Sequence, residues 1–438
     1  MRMKLLTAAL AGAALLTAVP SYAVTEIQWW HAMTGALGDQ VNLIANDFNA
    51  SQSDYKVVPV YKGGYADTMA AGIAAYRAGN APDILQVFEV GTATMLAAKG
   101  AVLPVYKLME QTGNKLDMNA YMPAVASYYS DAQGHLMSMP FNSSTPVFFY
   151  NKDAFKKAGL DPANPPKTWD EVGEAAAKIK SSGAAPCAFT TGWEVWVQME
   201  TMSAWDNVQF ATLENGFRGL GAKLTFNNPT IVRHIAELGK WAKDGRFTYA
   251  GRTTQPEAKF YAGDCAMLTS SSAARANIVK NAKFDVGMSY LPYDAFAKGA
   301  PQNTIIGGAS LWTFTGRSKD REKATAAFFE FLSSPKIQAR WHQNTGYVPI
   351  TKGAYELTKQ EGYYEKNPGT DIAVKQLLDR NPTKVSKGVR LGYLPQIRDV
   401  VDEELEAVWT GKKSAKSALD EAVKRGDVLL RKFQRENR

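Results

Sequence analysis

The sequence predicts an α/β protein with two lobes, each a mostly parallel sheet flanked by helices. Three observations predict it. Strand-like runs alternate with amphipathic helical runs along most of the chain, the pattern of strands joined by helical crossovers. The 438 residues exceed what one hydrophobic core usually organises. No tether interrupts the alternation, which fits lobes joined by crossing strands.

The elements follow in order. Arg2 and Lys4 precede the apolar run Leu5–Val19 and a small-x-small site at Ser21-Tyr22-Ala23, the layout of a secretory leader over residues 1–23. The run is too short to span a bilayer, and no cysteine follows the site to carry a lipid. A soluble mature chain beginning at Val24 is therefore expected. Val24–His31 reads as a strand. Leu37, Val41, Ile44, Ala45 and Phe48 recur at helical spacing. Tyr55–Tyr61 alternates as a second strand, Ala66–Arg77 is helical, and Gly79–Pro82 turns the chain into the strand Asp83–Phe88. In parallel sheets ligands collect beyond the carboxyl ends of strands. Tyr65 and Glu89 fall at such ends, and Glu89 can equally be a helix cap.

His135–Tyr150 would carry the chain into the second lobe. Val147–Tyr150 is a β-favouring run bounded by Pro146 and Asn151. Asp153 can cap a short helix to Ala158, with Gly159 as its left-handed stop. Pro162, Pro165 and Pro166 exclude helix. Thr168 and Glu171 then form a capping box for a helix from Trp169 that Gly183 ends. Pro229–Lys243 is a helix. Lys259–Ser272 reads as a helix end, a turn and a strand closing in serines. Ile305–Phe314 is a strand that starts in a glycine pair, Lys323–Leu332 a helix, and Asn344–Ile350 a loop. Pro395–Thr410 and Ser414–Gln434 are long helices.

Composition narrows the function. The formal charge of +8 is scattered along the chain, so it reads as a solvated surface before a field for an anionic solute, and no nucleic-acid partner is expected. The four histidines, His31, His135, His234 and His342, lack metal-ligand spacing. No G-x-S-x-G elbow, H-E-x-x-H or Walker loop is present, so neither an enzyme nor a cofactor or metal is expected. His31 reads as structural, and the sequon at Asn142-Ser143-Ser144 as accidental. Cys187 and Cys265 lie in strand-like contexts of an exported chain, where a disulfide and two buried thiols are both open.

Five stretches carry a resemblance: GNAPDILQVFEVGT, MPFNSSTPVFFYNKDAFKKAGLDPANPPKTWDE, FYAGDCAML, GGASLW and TGYVPI. Together they resemble the extracytoplasmic solute-binding proteins of ATP-binding-cassette importers, in the maltose-binding-like group. Residues 61–95, PFNSSTPV (140–147), APQNTIIGGASLW (300–312) and 388–413 are similar to the branch of that family that binds sn-glycerol 3-phosphate. The resemblance implies the two-lobed periplasmic binding fold around a cleft, with a hinge that the chain crosses more than once. It implies an N-terminal lobe of 24–143 and 289–338, and a C-terminal lobe of 144–288 and 339–438. By the same resemblance Tyr65 and Glu89 take the glycerol end, and Ser144 contacts phosphate. Ser271 fits best within Ser270–Ser272, Gly308 is a backbone donor and Tyr347 a phenol contact. Arg398 is the phosphate arginine, and Trp193, ahead of Trp196, packs on the carbon skeleton. The implied function is periplasmic capture of sn-glycerol 3-phosphate, with glycerophosphodiesters such as glycerophosphocholine as further ligands. A monomer would then deliver the solute to a membrane permease. The rival reading is a neutral sugar or maltodextrin site, for which ten tryptophans and 19 tyrosines could supply stacking platforms.

Overall fold

The computed structural model describes residues 24–438, and the expected leader lies outside them. Among the described residues ten strands form two sheets. The first has the order β2-β1-β3-β10-β4, with β5 also on β10. These are β1 (Thr25–His31), β2 (Tyr55–Tyr61), β3 (Ile84–Phe88), β4 (Val102–Leu103), β5 (Met139–Ser144) and β10 (Gly307–Phe314). The second has the order β7-β8-β6-β9, built from β6 (Pro146–Asn151), β7 (Cys187–Thr191), β8 (Cys265–Ser271) and β9 (Val286–Ser289).

Strand direction corrects the expectation of mostly parallel sheets. β1 runs parallel to β2 and β3, but β10 is antiparallel to β3, β4 and β5. In the second sheet β7 and β8 are parallel, while β6 is antiparallel to β8 and β9. Helical crossovers give parallel neighbours. The antiparallel pairings involve β5, β6, β9 and β10, the strands on either side of the two crossings between the sheets.

The transfer from β5 to β6 is a single residue, Thr145. Its hydroxyl donates to Thr304 Oγ1 at 2.6 Å, on the segment that returns from β9 to β10. The amide of Gln376 donates to the carbonyl of Pro146, and the amide N–H of Thr304 reaches the Gln376 carbonyl. Both crossing segments are thus tied to one buried hydrogen-bond cluster. The helix Pro335–Thr345 runs unbroken through the expected boundary at 338/339 and packs on the helices Gly35–Ser51 and Lys319–Leu332.

Local chemistry explains the element ends. Thr168 and Glu171 form the expected capping box, and Gly183 closes that helix at φ +62°. The short helix Lys152–Lys157 is capped by Asn151, not Asp153: the Asn151 side-chain oxygen accepts from the amides of Asp153 and Ala154 at 3.0 and 2.9 Å. Cys187 and Cys265 sit opposite each other on β7 and β8 with Cα atoms 4.3 Å apart, and they are disulfide-bonded. Trp29, Phe141, Phe328 and Trp341 pack under the first sheet. Trp169, Phe189, Trp241 and Phe247 pack under the second. Among the described residues no helix is long and apolar enough to cross a membrane, and no cluster could hold a metal ion.

Candidate ligand-binding site

A cavity of about 330 Å³ lies between the two sheets, and all eight residues expected at the site line it. That volume suits a small-molecule ligand. Tyr65 opens the helix Tyr65–Arg77, and Glu89 opens the tight turn after β3. Ser144 ends β5, Ser271 ends β8, and Gly308 is the second residue of β10. Tyr347 follows the helix Pro335–Thr345, and Arg398 lies in the first turns of the helix Leu394–Trp409.

One wall is a chain of hydroxyls and amides. Gln86 accepts from the amide of Ala32 at 2.8 Å and donates to Asn142, also at 2.8 Å. Asn142 donates to the Tyr65 hydroxyl at 2.8 Å, and that oxygen lies 3.4 Å from the Tyr347 hydroxyl. Asn142 is thereby committed to the wall, and its burial removes the sequon from any surface role. Burial raises both phenols, so they stay neutral donors. Ser271 Oγ accepts from the amide of Ala273, which leaves its proton free to donate. Gly308 has φ +95°, and a Cβ there would meet the Asn142 carbonyl oxygen at 1.8 Å, so only glycine fits.

The opposite wall is aromatic and acidic. Trp193 follows β7 with φ +52°, a conformation that costs a non-glycine residue about 1–3 kcal/mol. It opens into the π-helical stretch Val195–Thr201, a rare geometry that often marks functional sites. Its ring centroid lies 6.3 Å from that of Tyr65. Trp196, the weaker expectation, also lines the cavity, and its indole N–H is buried without a partner.

Arg398 is held by two carboxylates. Its Nε and Nη2 donate to the two carboxylate oxygens of Glu200 at 2.7 and 2.8 Å, and Nη2 also reaches Glu89 at 2.7 Å. Burial disfavours its charge, but the Glu200 and Glu89 carboxylates outweigh burial and raise its pKa. Burial also pushes Glu89 up, against the pull of Arg398. At 2.7 Å from the guanidinium we read Glu89 as ionised, because only opposite charges repay the loss of water there. With both carboxylates ionised the triad carries a net charge of about −1, and Nη1 has no protein partner among the described residues.

Sequence reasoning missed three groups. Asn142 stands inside the quoted PFNSSTPV stretch, where only Ser144 was singled out. Glu200 is 198 residues from Arg398, and no pattern announces the pair. Glu257 lines the cavity at 4% exposure and accepts from the Ser270 hydroxyl at 2.7 Å. His31 is structural as expected. It is buried, accepts from the amide of Met33, and desolvation lowers it to about 4.

Comparison with known proteins adds a family to this geometry. The family described as "Bacterial extracellular solute-binding protein" matches residues 44–370. The sn-glycerol-3-phosphate-binding periplasmic protein UgpB of Yersinia enterocolitica is 56% identical over 417 residues, 95% of this chain and 94% of that protein. UgpB of Escherichia coli strain K12 is 55% identical over 414 residues, 94% of each chain. Among solved structures, UgpB from Mycobacterium tuberculosis in complex with glycerophosphocholine aligns with a TM-score of 0.77. It is 22% identical and covers 94% of this chain and 99% of that one. The cyclic alpha-maltosyl-1,6-maltose binding protein of Arthrobacter globiformis aligns at 0.73, also with 22% identity, over 93% of this chain and 99% of that one.

Proposed function

Because the chain belongs to the bacterial extracellular solute-binding proteins, we propose that it captures sn-glycerol 3-phosphate in the cavity between its sheets. The single observation that carries this reading is the convergence of Tyr65, Glu89, Ser144, Trp193, Ser271, Gly308, Tyr347 and Arg398 on one cavity, in a chain whose relatives are named for that ligand.

The geometry suggests an orientation. The hydroxyls of Ser144, Ser271 and Tyr347 and the backbone at Gly308 form a neutral donor set, suited to phosphoryl oxygens. The Glu89–Arg398–Glu200 triad offers carboxylate acceptors to glycerol hydroxyls, and its net negative charge repels a phosphate placed the wrong way round. In this orientation Arg398 lies at the glycerol end, with Nη1 left for the ligand. Trp193 packs on the carbon skeleton. Capture occurs in the periplasm, by a monomer that delivers solute to the permease of an ATP-binding-cassette importer and performs no turnover. The two moving bodies are the expected four segments, with the last boundary shifted beyond the helix Pro335–Thr345 that packs on the first lobe.

Calorimetry against sn-glycerol 3-phosphate, glycerophosphocholine, inorganic phosphate and maltose tests the reading. The monoester should bind most tightly of the monoester, inorganic phosphate and maltose, and maltose should give no heat. Maltose binding without a response to glycerol 3-phosphate would instead establish the sugar reading, which the tryptophan pair at the cavity otherwise favours. Release of choline from glycerophosphocholine by the pure protein would overturn binding without turnover.

A further inference from the structure

We propose that Glu257 is a further ligand-binding residue of this cavity: it meets the phosphate monoester as the neutral acid, donating its carboxyl proton to a phosphoryl oxygen, so capture of the dianion takes up a proton from solvent. The proposal rests on the ligand reading given above and adds to it a residue and a proton.

The geometry comes first. Glu257 lies in the helix Gln255–Tyr261 and lines the cavity beside Ser271. Its Oε1 accepts from the hydroxyl of Ser270, the residue before Ser271 on β8, which fixes the carboxyl against the donor wall. No cation faces it. On its own helix Lys259 turns to Asp264 at 3.3 Å. On the following helix Arg275 is spent on the Gln343 carbonyl and on Asn367. Across the cavity Arg398 is held by Glu200 and Glu89. The other titratable groups facing it are the phenols of Tyr347 and Tyr65, which burial keeps neutral.

Charge then decides the protonation state. The triad already contributes about one net negative charge to a cavity that must accept a phosphate dianion. An ionised Glu257 beside Ser271 would add a second charge, at the phosphate end, with nothing to offset it. The neutral acid instead supplies a further donor where the anion needs one. Burial pushes the free carboxyl up to about 7 even though the Ser270 hydrogen bond favours the ionised form. A dianion alongside raises it further. Above pH 7 the free protein therefore holds only a fraction of this proton, and binding restores it.

The test is calorimetry of the mature chain with sn-glycerol 3-phosphate between pH 7 and 9, in buffers of different ionisation enthalpy. A phosphate monoester loses its second proton near pH 6, so the ligand stays largely dianionic across this range. Kd should weaken with pH and approach tenfold per unit at the alkaline end, the limit for one linked proton. The heat should depend on buffer in the sense of proton uptake. Glu257→Gln, which keeps the shape and a donor but cannot titrate, should flatten the slope to under twofold across the range. A wild-type Kd constant within twofold from pH 7 to 9, with buffer-independent heat, would overturn the proposal without recourse to any variant. A Glu257→Gln protein that keeps the wild-type slope would overturn it as well. Absence of glycerol 3-phosphate heat at every pH would overturn the ligand reading itself, and is distinct from a flat profile with binding intact.

Discussion

Arg398 shows how far one side chain's meaning depends on its neighbours. In isolation a guanidinium near a phosphate-binding site is a phosphate clamp. Held by Glu89 and Glu200, it is a positioned donor inside a net acidic cluster. Arg398→Ala leaves two buried carboxylates without their cation, which should cost about 3–5 kcal/mol of folding stability, read as a lower urea midpoint. Arg398→Lys should recover part of that, since an ammonium cannot span both carboxylates as the fork does. Titration with two ligands checks the orientation. Arg398→Ala should weaken glycerol 3-phosphate more than inorganic phosphate, and equal losses would return Arg398 to the phosphate end. Glu89→Gln should cost less, about 1–3 kcal/mol, as for one hydrogen bond to a charged group. At Gly308, alanine would add about 1–3 kcal/mol of backbone strain to a collision with the Asn142 carbonyl. Gly308→Ala should therefore lower both the melting temperature and the affinity, as differential scanning and calorimetry would show.

Elements were legible where periodicity and caps agree. The helices Trp169–Ser182 and Pro229–Asp244 lie within a residue of their sequence-derived ends, because a capping box or an asparagine cap opens each and a left-handed glycine closes it. Strand direction was not legible. The same alternation of strand and helix accompanies β10, yet β10 enters its sheet antiparallel, since it arrives from the other lobe. Nor did the sequence choose between thiols and a disulfide. The parallel pairing of β7 with β8 chose, by placing Cys187 opposite Cys265. The bridge closes a loop of 78 residues, for which chain entropy predicts about 4.5 kcal/mol of stabilisation. The Cys187→Ala/Cys265→Ala double variant should unfold at lower urea, with the midpoint shift as the readout. An unchanged midpoint would show that the bridge contributes no stability.

At the scale of the whole molecule, buried titratable groups set the pH dependence. Burial is the largest influence on the carboxyls of Asp206, Asp402 and Glu257 and pushes all three up, Asp206 further still through Asp294 beside it. The folded state holds these protons after the unfolded chain has released them near pH 4. Their contribution to stability is therefore full in acid and is lost as pH rises towards and past 7. His31 and His342 act in the opposite sense. Burial lowers each to about 4, so their contribution is present above pH 6.5 and is lost as pH falls towards 4. Stability should therefore be greatest in mildly acidic solution and decline towards pH 9. Melting temperatures from pH 5 to 9 check this, and Asp206→Asn should shrink the alkaline decline. A ligand that touches both lobes favours the state in which they meet. Glycerol 3-phosphate should accordingly reduce the radius of gyration in small-angle scattering, and an unchanged radius at saturation would count against hinge closure.

The sequence by itself determined the α/β class, most helix boundaries, the separate stretches that meet at the cavity, and the family. Periodicity, caps and motif spacing are local properties, and the folded chain inherits them. Tertiary structure decided strand direction, the disulfide, the pairing of Arg398 with two carboxylates and the burial of Glu257. Each of these depends on which distant segment lies alongside. Arg398 meets a carboxylate 198 residues away, and Glu257 is titratable near neutrality only because packing removes its water and supplies no cation. Charge and solvation are set by neighbours in space, and one strand of sequence does not contain them.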